Sequence, residues 1–524
     1  MCCSFGVPIE QKLGLAAHLK SVVTVYLVEF ILYFAVIAAV CKKLNNRQKP
    51  LPKLKNVAVD ADLGFRPRTL YSLLIISRVC WWTAPPSNSE DVWRYLWDGE
   101  RVLEGQSVYT PAPAQVQCDG DGMIPKPVCM GIQARIGHAD VPTVYPPSAQ
   151  LIFALSSLLS HGVEYYAVNK LIKTQLKIKK TQAIIRIKLL TWRILLLCAD
   201  LALLAVLISI FRIKKYSMAL LLIYALSPMI AFESSLGAHL DVFGMFFMLL
   251  SFSLLLRDKY FWAGNVLGIG ILIKFIPLIL FLALTLIKCC DFFLPRKSNE
   301  MELNRFREPS FYKLGLGFVG LLTSIVLLCL PFISEFSQFG GLWPGLKTYS
   351  IHWSFNGSFY PLIESLVTDY FQPQDWQSSR FTTKVSLGAI ACLIILTYTL
   401  RIRQSTAFVQ FVQVNLCALS ILFFFSPVVF TWYLQWLFPF IVLVINPNQL
   451  RSGVKHGESI LCLLLLLWCF SSNLTYLPRY AILSGKEWKF NVLWTMLEYG
   501  ILALTLLIIK GYSLCYSHKV SINK

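Results

Sequence analysis

Apolar runs of about 20 residues recur along almost the whole chain, and a run of that length is what a helix needs to cross a hydrocarbon core about 30 Å thick. They fall near 22–41, 67–84, 189–211, 217–234, 240–256, 313–333, 384–401, 406–426, 428–444, 457–475 and 489–510. Backbone polar groups find no water in lipid, so helices that bond internally are the form such runs can take. The stretch 260–288 is too long for one simple crossing and carries Lys274 and Pro277 at its middle. It reads as two short helices joined near Phe275, with the break at the extracytoplasmic surface. The fold expected is an all-α, polytopic transmembrane bundle of about 11–13 helices with two large extracytoplasmic loops.

Charge supports this reading. Only 15% of the 524 residues are charged and 56% are hydrophobic. The net charge of +20 would raise nucleic acid as a partner for a soluble chain, but the basic residues sit in short segments beside apolar runs, the pattern of topology signals. Membrane lipid is the expected surroundings and no nucleic-acid partner is expected. The loop 42–68 holds Lys42, Lys43, Arg47, Lys49, Lys53, Lys55, Arg66 and Arg68, which puts it in the cytoplasm. The next loop, 85–188, is then extracytoplasmic. Arg212, Lys214 and Lys215, Arg257 and Lys259, the 288–313 loop, Arg401 and Arg403, Arg451 and Lys455, and the tail with Lys510 follow on the inside. One basic cluster, Lys170 to Lys188, resists the scheme because it would lie outside. Making 148–167 a full crossing and 260–288 a single one rescues it but leaves Arg212, Lys214, Lys215, Arg257 and Lys259 outside, so charge leaves the two arrangements close; on the resemblance given below, 148–167 is read as a helix lying at the membrane surface. Three regions result: 1–66, an extra N-terminal membrane helix and basic loop; 67–383, a module holding external loops 85–188 and 334–383; and 384–524, the remaining membrane helices.

Most of the 15 cysteines, Cys198, Cys329, Cys417, Cys462 and Cys469 among them, lie in apolar runs and read as small buried hydrophobes. Cys118 and Cys129 share one polar loop, where they are free to pair. Asn356-Gly-Ser358 and Asn473-Leu-Thr475 match the glycosylation sequon but sit at predicted membrane ends, so no modification is expected.

Chemistry concentrates in Ser89-Glu90-Asp91-Val92-Trp93-Arg94-Tyr95-Leu96-Trp97-Asp98-Gly99. At helical spacing Asp91, Arg94, Tyr95 and Asp98 share one face. A solvated interfacial helix with an Arg94–Asp98 salt bridge accounts equally well for that pattern. Together with Gly105-Gln106-Ser107-Val108-Tyr109 and Pro142-Thr143-Val144-Tyr145-Pro146-Pro147, the stretch resembles bacterial membrane glycosyltransferases of the GT-C superfamily, in particular polyprenyl-phosphate-mannose-dependent mannosyltransferases. In those relatives an acidic-x-x-Arg-Tyr-x-Trp-Asp-Gly segment opens the first external loop and Tyr-Pro-Pro closes it. The resemblance continues at Ala238-His239-Leu240-Asp241, Ile273-Lys274-Phe275-Ile276-Pro277, His352-Trp353-Ser354-Phe355-Asn356-Gly357-Ser358 and Trp432-Tyr433-Leu434-Gln435-Trp436, and spans about residues 67–445.

The resemblance implies transfer of a hexose, mannose by analogy, from a polyprenyl- or dolichyl-phosphate sugar to a lipid-linked or glycan acceptor, with inversion. An acid in the first external loop would be the general base, which needs a carboxylate within reach of the acceptor hydroxyl. Asp91 is the candidate, with Glu90 and Asp98 as alternatives. The departing phosphate needs positive charge, for which Lys274 and then Arg94 are candidates; a lysine inside an apolar run usually faces a partner or a polar cavity. Tyr95, Asp98, Tyr145, His239, Asp241, Trp353 and Asn356 are expected to line the substrate pocket. Trp343 and Trp376 read equally well as interfacial anchors. His239 and Asp241 lack a third and fourth ligand at recognisable spacing, so neither a divalent metal nor another cofactor is indicated. The membrane would be a bacterial cell membrane or that of the endoplasmic reticulum. A secondary transporter is the rival reading, since it shares many helices, buried charges and broken helices.

Overall fold

The computed structural model describes residues 9–46, 66–119, 122–171, 177–294, 310–371, 375–402, 405–445, 456–476, 496–505 and 507. Within them the chain is helical throughout, and its extended segments pair only as isolated bridges of Phe355 and Asn356 with Val428. The basic residues from Arg47 to Lys55, Arg296 to Arg307, Lys173, Arg403, Arg451, Lys455, Lys510 and the tail beyond lie outside the described residues.

The N-terminal half runs α1 (Ile9–Asn46), α2 (Pro67–Val79), α3 (Asp91–Leu103), α4 (Lys126–Gln133), α5 (Pro147–Leu171) and α6 (Lys177–Lys214). Two short helices follow, α7 (Leu222–Ala225) and α8 (Pro228–Ala231), then α9 (Asp241–Leu255), α10 (Tyr260–Ile271), α11 (Leu278–Phe293) and α12 (Phe311–Cys329). The second large loop folds as α13 (Ile333–Phe339), α14 (Trp343–His352) and α15 (Tyr360–Phe371). Beyond it come α16 (Trp376–Arg401), α17 (Ala407–Phe425) and α18 (Phe438–Val444), with further helices at His456–Ser471 and Met496–Thr505.

Among the described residues, five helical stretches are long and apolar enough to cross a membrane: Ser21–Val40, Lys180–Lys214, Phe311–Gln338, Trp376–Arg401 and Ala407–Phe425. A sixth is added if Met218–Ala225 and Pro228–Leu236, bent by 45°, count as one span. The chain is thus a helical membrane protein. Several apolar runs expected to be single crossings form shorter helices, among them Asp241–Leu255, Thr431–Val444 and Ile460–Thr475. The 15 residues of α9 reach about 22 Å, short of a full core. The cause is local: a polar residue or a tight turn interrupts each run and supplies backbone that a continuous helix would consume. The break anticipated in 260–288 is present, between Ile271 and Leu278.

Close packing inside the bundle rests on small residues, as is usual between membrane helices. A Cβ on Gly264 of α10 would stand 1.7 Å from the Gly317 carbonyl oxygen of α12, and one on Gly320 would stand 2.0 Å from that of Phe261. Arg78 of α2 is buried and pairs with Asp200 of α6 at 2.8 Å. It also donates to the Ala225 carbonyl at 3.0 Å, while the Tyr224 hydroxyl donates to the other oxygen of Asp200.

Of the basic cluster that resisted the topology, Lys188 lies on α6, whose 38 residues span about 57 Å and extend well past a hydrocarbon core. Near its N-terminal end Lys188 is buried, 2.7 Å from Glu100 of α3 and 3.0 Å from Glu164 of α5. His161 of α5 meets the other oxygen of Glu100 at 2.8 Å. Burial alone would raise the Glu100 carboxyl, but His161 and Lys188 outweigh it and hold the group below its ordinary value. Lys188 is therefore neutralised by acids of the 85–188 loop. α5 carries His161 and Glu164 mid-helix and is not among the five spans.

The two large loops meet. Glu335 of α13 accepts from the Ser107 hydroxyl at 2.7 Å and from the Tyr109 N–H at 3.4 Å. A Cβ on Gly345 of α14 would come within 2.5 Å of the Thr143 carbonyl oxygen, so only glycine allows that approach. Cys118 and Cys129 form a disulfide with Cα atoms 5.8 Å apart. Both sequon asparagines, Asn356 and Asn473, are buried.

Candidate active site

Asp91 opens α3 just after Pro85 and Pro86 end the preceding turn. Its N–H donates to the Ser89 hydroxyl at 3.1 Å, and its carboxylate complements the first-turn amides. The side chain keeps 36% of its surface open. Burial pushes the carboxyl up, Lys274 pulls it back, Asp241 and Glu90 push it further, and the outcome is a pKa of about 6. A base with a pKa near the working pH is suited to taking a proton.

Glu90, the sequence neighbour, turns the other way. A Cβ on Gly137 would stand 2.5 Å from its carboxylate oxygen, which places that carboxylate against the Gly137 backbone. Asp98, the third acid, is fully buried: Arg94 donates to it at 2.8 Å, Thr143 at 2.6 Å and Gln150 at 3.1 Å. Arg94 also donates to the Val141 carbonyl at 2.9 Å. The salt bridge read from the i, i+4 spacing is present, and it ties α3 to the end of its own loop. Of the three acids, Asp91 is the one whose carboxylate stands beside His239.

A second group comes from the break before α9. The helix that starts at Pro228 widens after Phe232, where the Gly237 N–H reaches back five residues to the Phe232 carbonyl. Ala238 then adopts φ +56°, held by the Trp192 indole N–H on its carbonyl at 2.8 Å. This unwinding brings His239 beside Glu233. The His239 Nδ1 lies 3.7 Å from an Asp91 oxygen and its Nε2 lies 3.5 Å from Glu233. Its ring stacks on Trp432 at 4.0 Å, Trp432 stacks on Phe430 at 4.4 Å, and Phe430 stacks on Phe355 at 4.9 Å.

Asp241, the first residue of α9, accepts from Lys274 and from the Trp436 indole, each at 2.6 Å. Lys274 emerges from the α10–α11 break and lies 4.3 Å over the Tyr433 ring. Tyr433 and Tyr349 share a hydroxyl hydrogen bond at 2.8 Å, and Tyr349 packs against Trp353, which meets His138 of the first loop. Tyr145 stands edge-on to Tyr95 with their hydroxyls 3.5 Å apart. The structure thus brings Asp91, His239, Asp241 and Lys274 together, flanked by tyrosines of both loops. Asn356 stands apart: its amide donates to buried Glu498 at 2.9 Å, behind the aromatic stack.

Glu233 was missed from sequence, although an acid ending the apolar run 217–234 marks a place where a partner must exist. It accepts from Asn88 at 3.0 Å and from the Tyr476 hydroxyl at 2.7 Å. Among the described residues no group of three or more His, Cys, Asp and Glu side chains has an arrangement that could hold a metal ion. No protein-family model matches the chain, and no curated protein matches it.

Proposed function

We propose that this chain is a multi-pass membrane glycosyltransferase that moves a hexose, mannose by resemblance, from a polyprenyl- or dolichyl-phosphate sugar to a lipid-linked or glycan acceptor on the extracytoplasmic face. The observation that carries the reading is a partly exposed acid with a pKa of about 6, beside His239 and within electrostatic reach of a lysine at a helix break. Asp91 removes the acceptor proton as the new bond forms at the anomeric carbon, and the lipid phosphate leaves from the opposite face, inverting the centre. Lys274 spends one N–H on Asp241 and has two more for the departing phosphate. Disulfides persist in oxidising compartments, so Cys118–Cys129 supports placing the 85–188 loop outside the cytoplasm.

The test is transfer of labelled sugar from a panel of synthetic lipid-phosphate sugars by purified protein in detergent. Movement of a substrate across liposomes without any transfer would favour the transporter reading instead. Two further results are expected. Because Asp91 works as the carboxylate, kcat/KM should be full above pH 7 and fall tenfold per pH unit below about 6, as the group is protonated. A rate constant from pH 5 to pH 8 would remove Asp91 from the rate equation. Lys274→Met should raise the donor KM about tenfold with little change in acceptor KM, as expected for loss of one charged contact. Equal donor affinity in the folded variant would assign the lysine to Asp241 alone.

A further inference from the structure

Two neighbouring residues of α6, Trp192 and Arg193, reach both of the segments that carry the site. Arg193 is 4% exposed and lies within the span Lys180–Lys214. Its Nη1 donates to the Trp82 carbonyl at 2.8 Å, and its Nη2 donates to the carbonyls of Ala84 at 2.9 Å and Leu236 at 3.2 Å. The Trp192 indole N–H takes the Ala238 carbonyl at 2.8 Å. These carbonyls sit where helical bonding runs out. The turn Cys80–Thr83 stops ahead of Pro85 and Pro86, which bring no N–H, and the widened helix stops where Ala238 turns left-handed. Among the described residues the partners of the Arg193 guanidinium are those three carbonyls, and none is a carboxylate. A cation buried without a counter-ion is costly, and an ionisable side chain inside a span ordinarily marks function. An apolar residue would suit α6 at lower cost, whereas a planar fork of donors suits a place where carbonyls of two segments must be held at one distance.

We propose that Arg193, with Trp192, is a positioning residue for the transfer: it fixes the segment 82–91, which ends on Asp91, against the segment 236–241, which carries His239 and Asp241. The proposal rests on the glycosyltransferase reading above. Asp241 holds Lys274 at 2.6 Å, so the second segment also sets where the lysine stands. The two segments meet directly as well. Asn88 of the first donates to Glu233 just ahead of the second at 3.0 Å, and a Cβ on Gly237 would stand 2.6 Å from the Asn88 amide nitrogen. Inversion needs the acceptor oxygen and the departing phosphate oxygen in line, on opposite sides of the anomeric carbon. Asp91 serves the first and Lys274 the second, and they come from different segments. Their separation is therefore set by what joins those segments, and α6 joins them through four carbonyls. A misplacement of about 1 Å costs about 100-fold in rate. Arg193 acts on the reaction through the backbone it holds.

The test compares purified variants in detergent, with a synthetic polyprenyl- or dolichyl-phosphate hexose as donor and rates expressed per folded molecule. Arg193→Gln keeps one amide donor but cannot bridge the segments, so kcat should fall about 100-fold with donor KM within about twofold of wild type. Arg193→Lys keeps the charge and can hold one segment, and should recover about tenfold of that loss. Trp192→Phe gives up the N–H on Ala238 while leaving a ring against Tyr95 and Phe153. It should lower kcat about tenfold at unchanged donor KM, and it decides the question if Arg193→Gln does not fold. Arg193→Lys combined with Trp192→Phe should lose less than the product of the single losses, because both side chains hold the same turn before His239. A purely structural role would lower the yield of folded protein and leave kcat per folded molecule unchanged. If Asp91→Asn abolishes transfer while Trp192→Phe and every folded Arg193 variant keep wild-type kcat, or lose activity through donor KM alone, the positioning role is wrong and the enzyme reading stands. If the wild type transfers no sugar from any lipid-phosphate donor, the enzyme reading falls and the positioning role falls with it.

Discussion

Asp91→Asn should lower sugar transfer about 100-fold or more while donor binding survives, because the amide keeps the size and hydrogen bonding of the acid but cannot take a proton. The structure sharpens the controls. Glu90→Gln should remain near wild type, since the Glu90 carboxylate turns toward Gly137. Asp98→Asn should cost folded protein more than rate, since Asp98 is buried among Arg94, Thr143 and Gln150. Purified variants would be compared at saturating donor, with donor affinity measured separately. Near-native turnover by Asp91→Asn with an inactive Glu90→Gln would move the base by one residue. Full activity in both would end the glycosyltransferase account of this loop and strengthen the transporter alternative.

The second large effect is on folding. Arg78→Met leaves Asp200 buried without its cation, and breaking a buried pair from one side costs about 3–5 kcal/mol. The expected result is loss of most monodisperse protein in mild detergent and a marked drop in the thermal midpoint. Replacing both partners, as Arg78→Met with Asp200→Leu, should restore much of it, because a well-packed apolar pair is often as stable as the ions it replaces. A single variant as stable as wild type would mean that Asp200 is satisfied by Tyr224 and needs no cation.

The helical class and the position of nearly every apolar element were legible, because a run of about 20 apolar residues admits few conformations in lipid. The lengths of the helices were not. Hydropathy separates the runs near His239 and before Thr431 but does not show how much backbone the breaks take, and the helices that follow are about half-length. At the site, Asp91, Lys274, His239 and Asp241 were found because each is polar at the edge or middle of an apolar run. Glu233, Arg78 and Asp200 obey the same rule and were passed over, since each lacks a partner nearby in sequence: Asp200 lies 122 residues from Arg78, and Tyr476 lies 243 from Glu233. The contact of Asn356 was equally out of view: its amide donates to Glu498, 142 residues away.

The Lys188–Glu100 pair has a consequence for how the chain is made. A ribosome delivers Glu100 to its side of the bilayer 88 residues before the partner lysine exists. Within that interval His161, 61 residues on, is the first of its partners to appear. Only a copy of α6 inserted with its leading end on the loop's side closes the latch. A copy threaded the other way leaves Glu100, Glu164 and His161 without their cation.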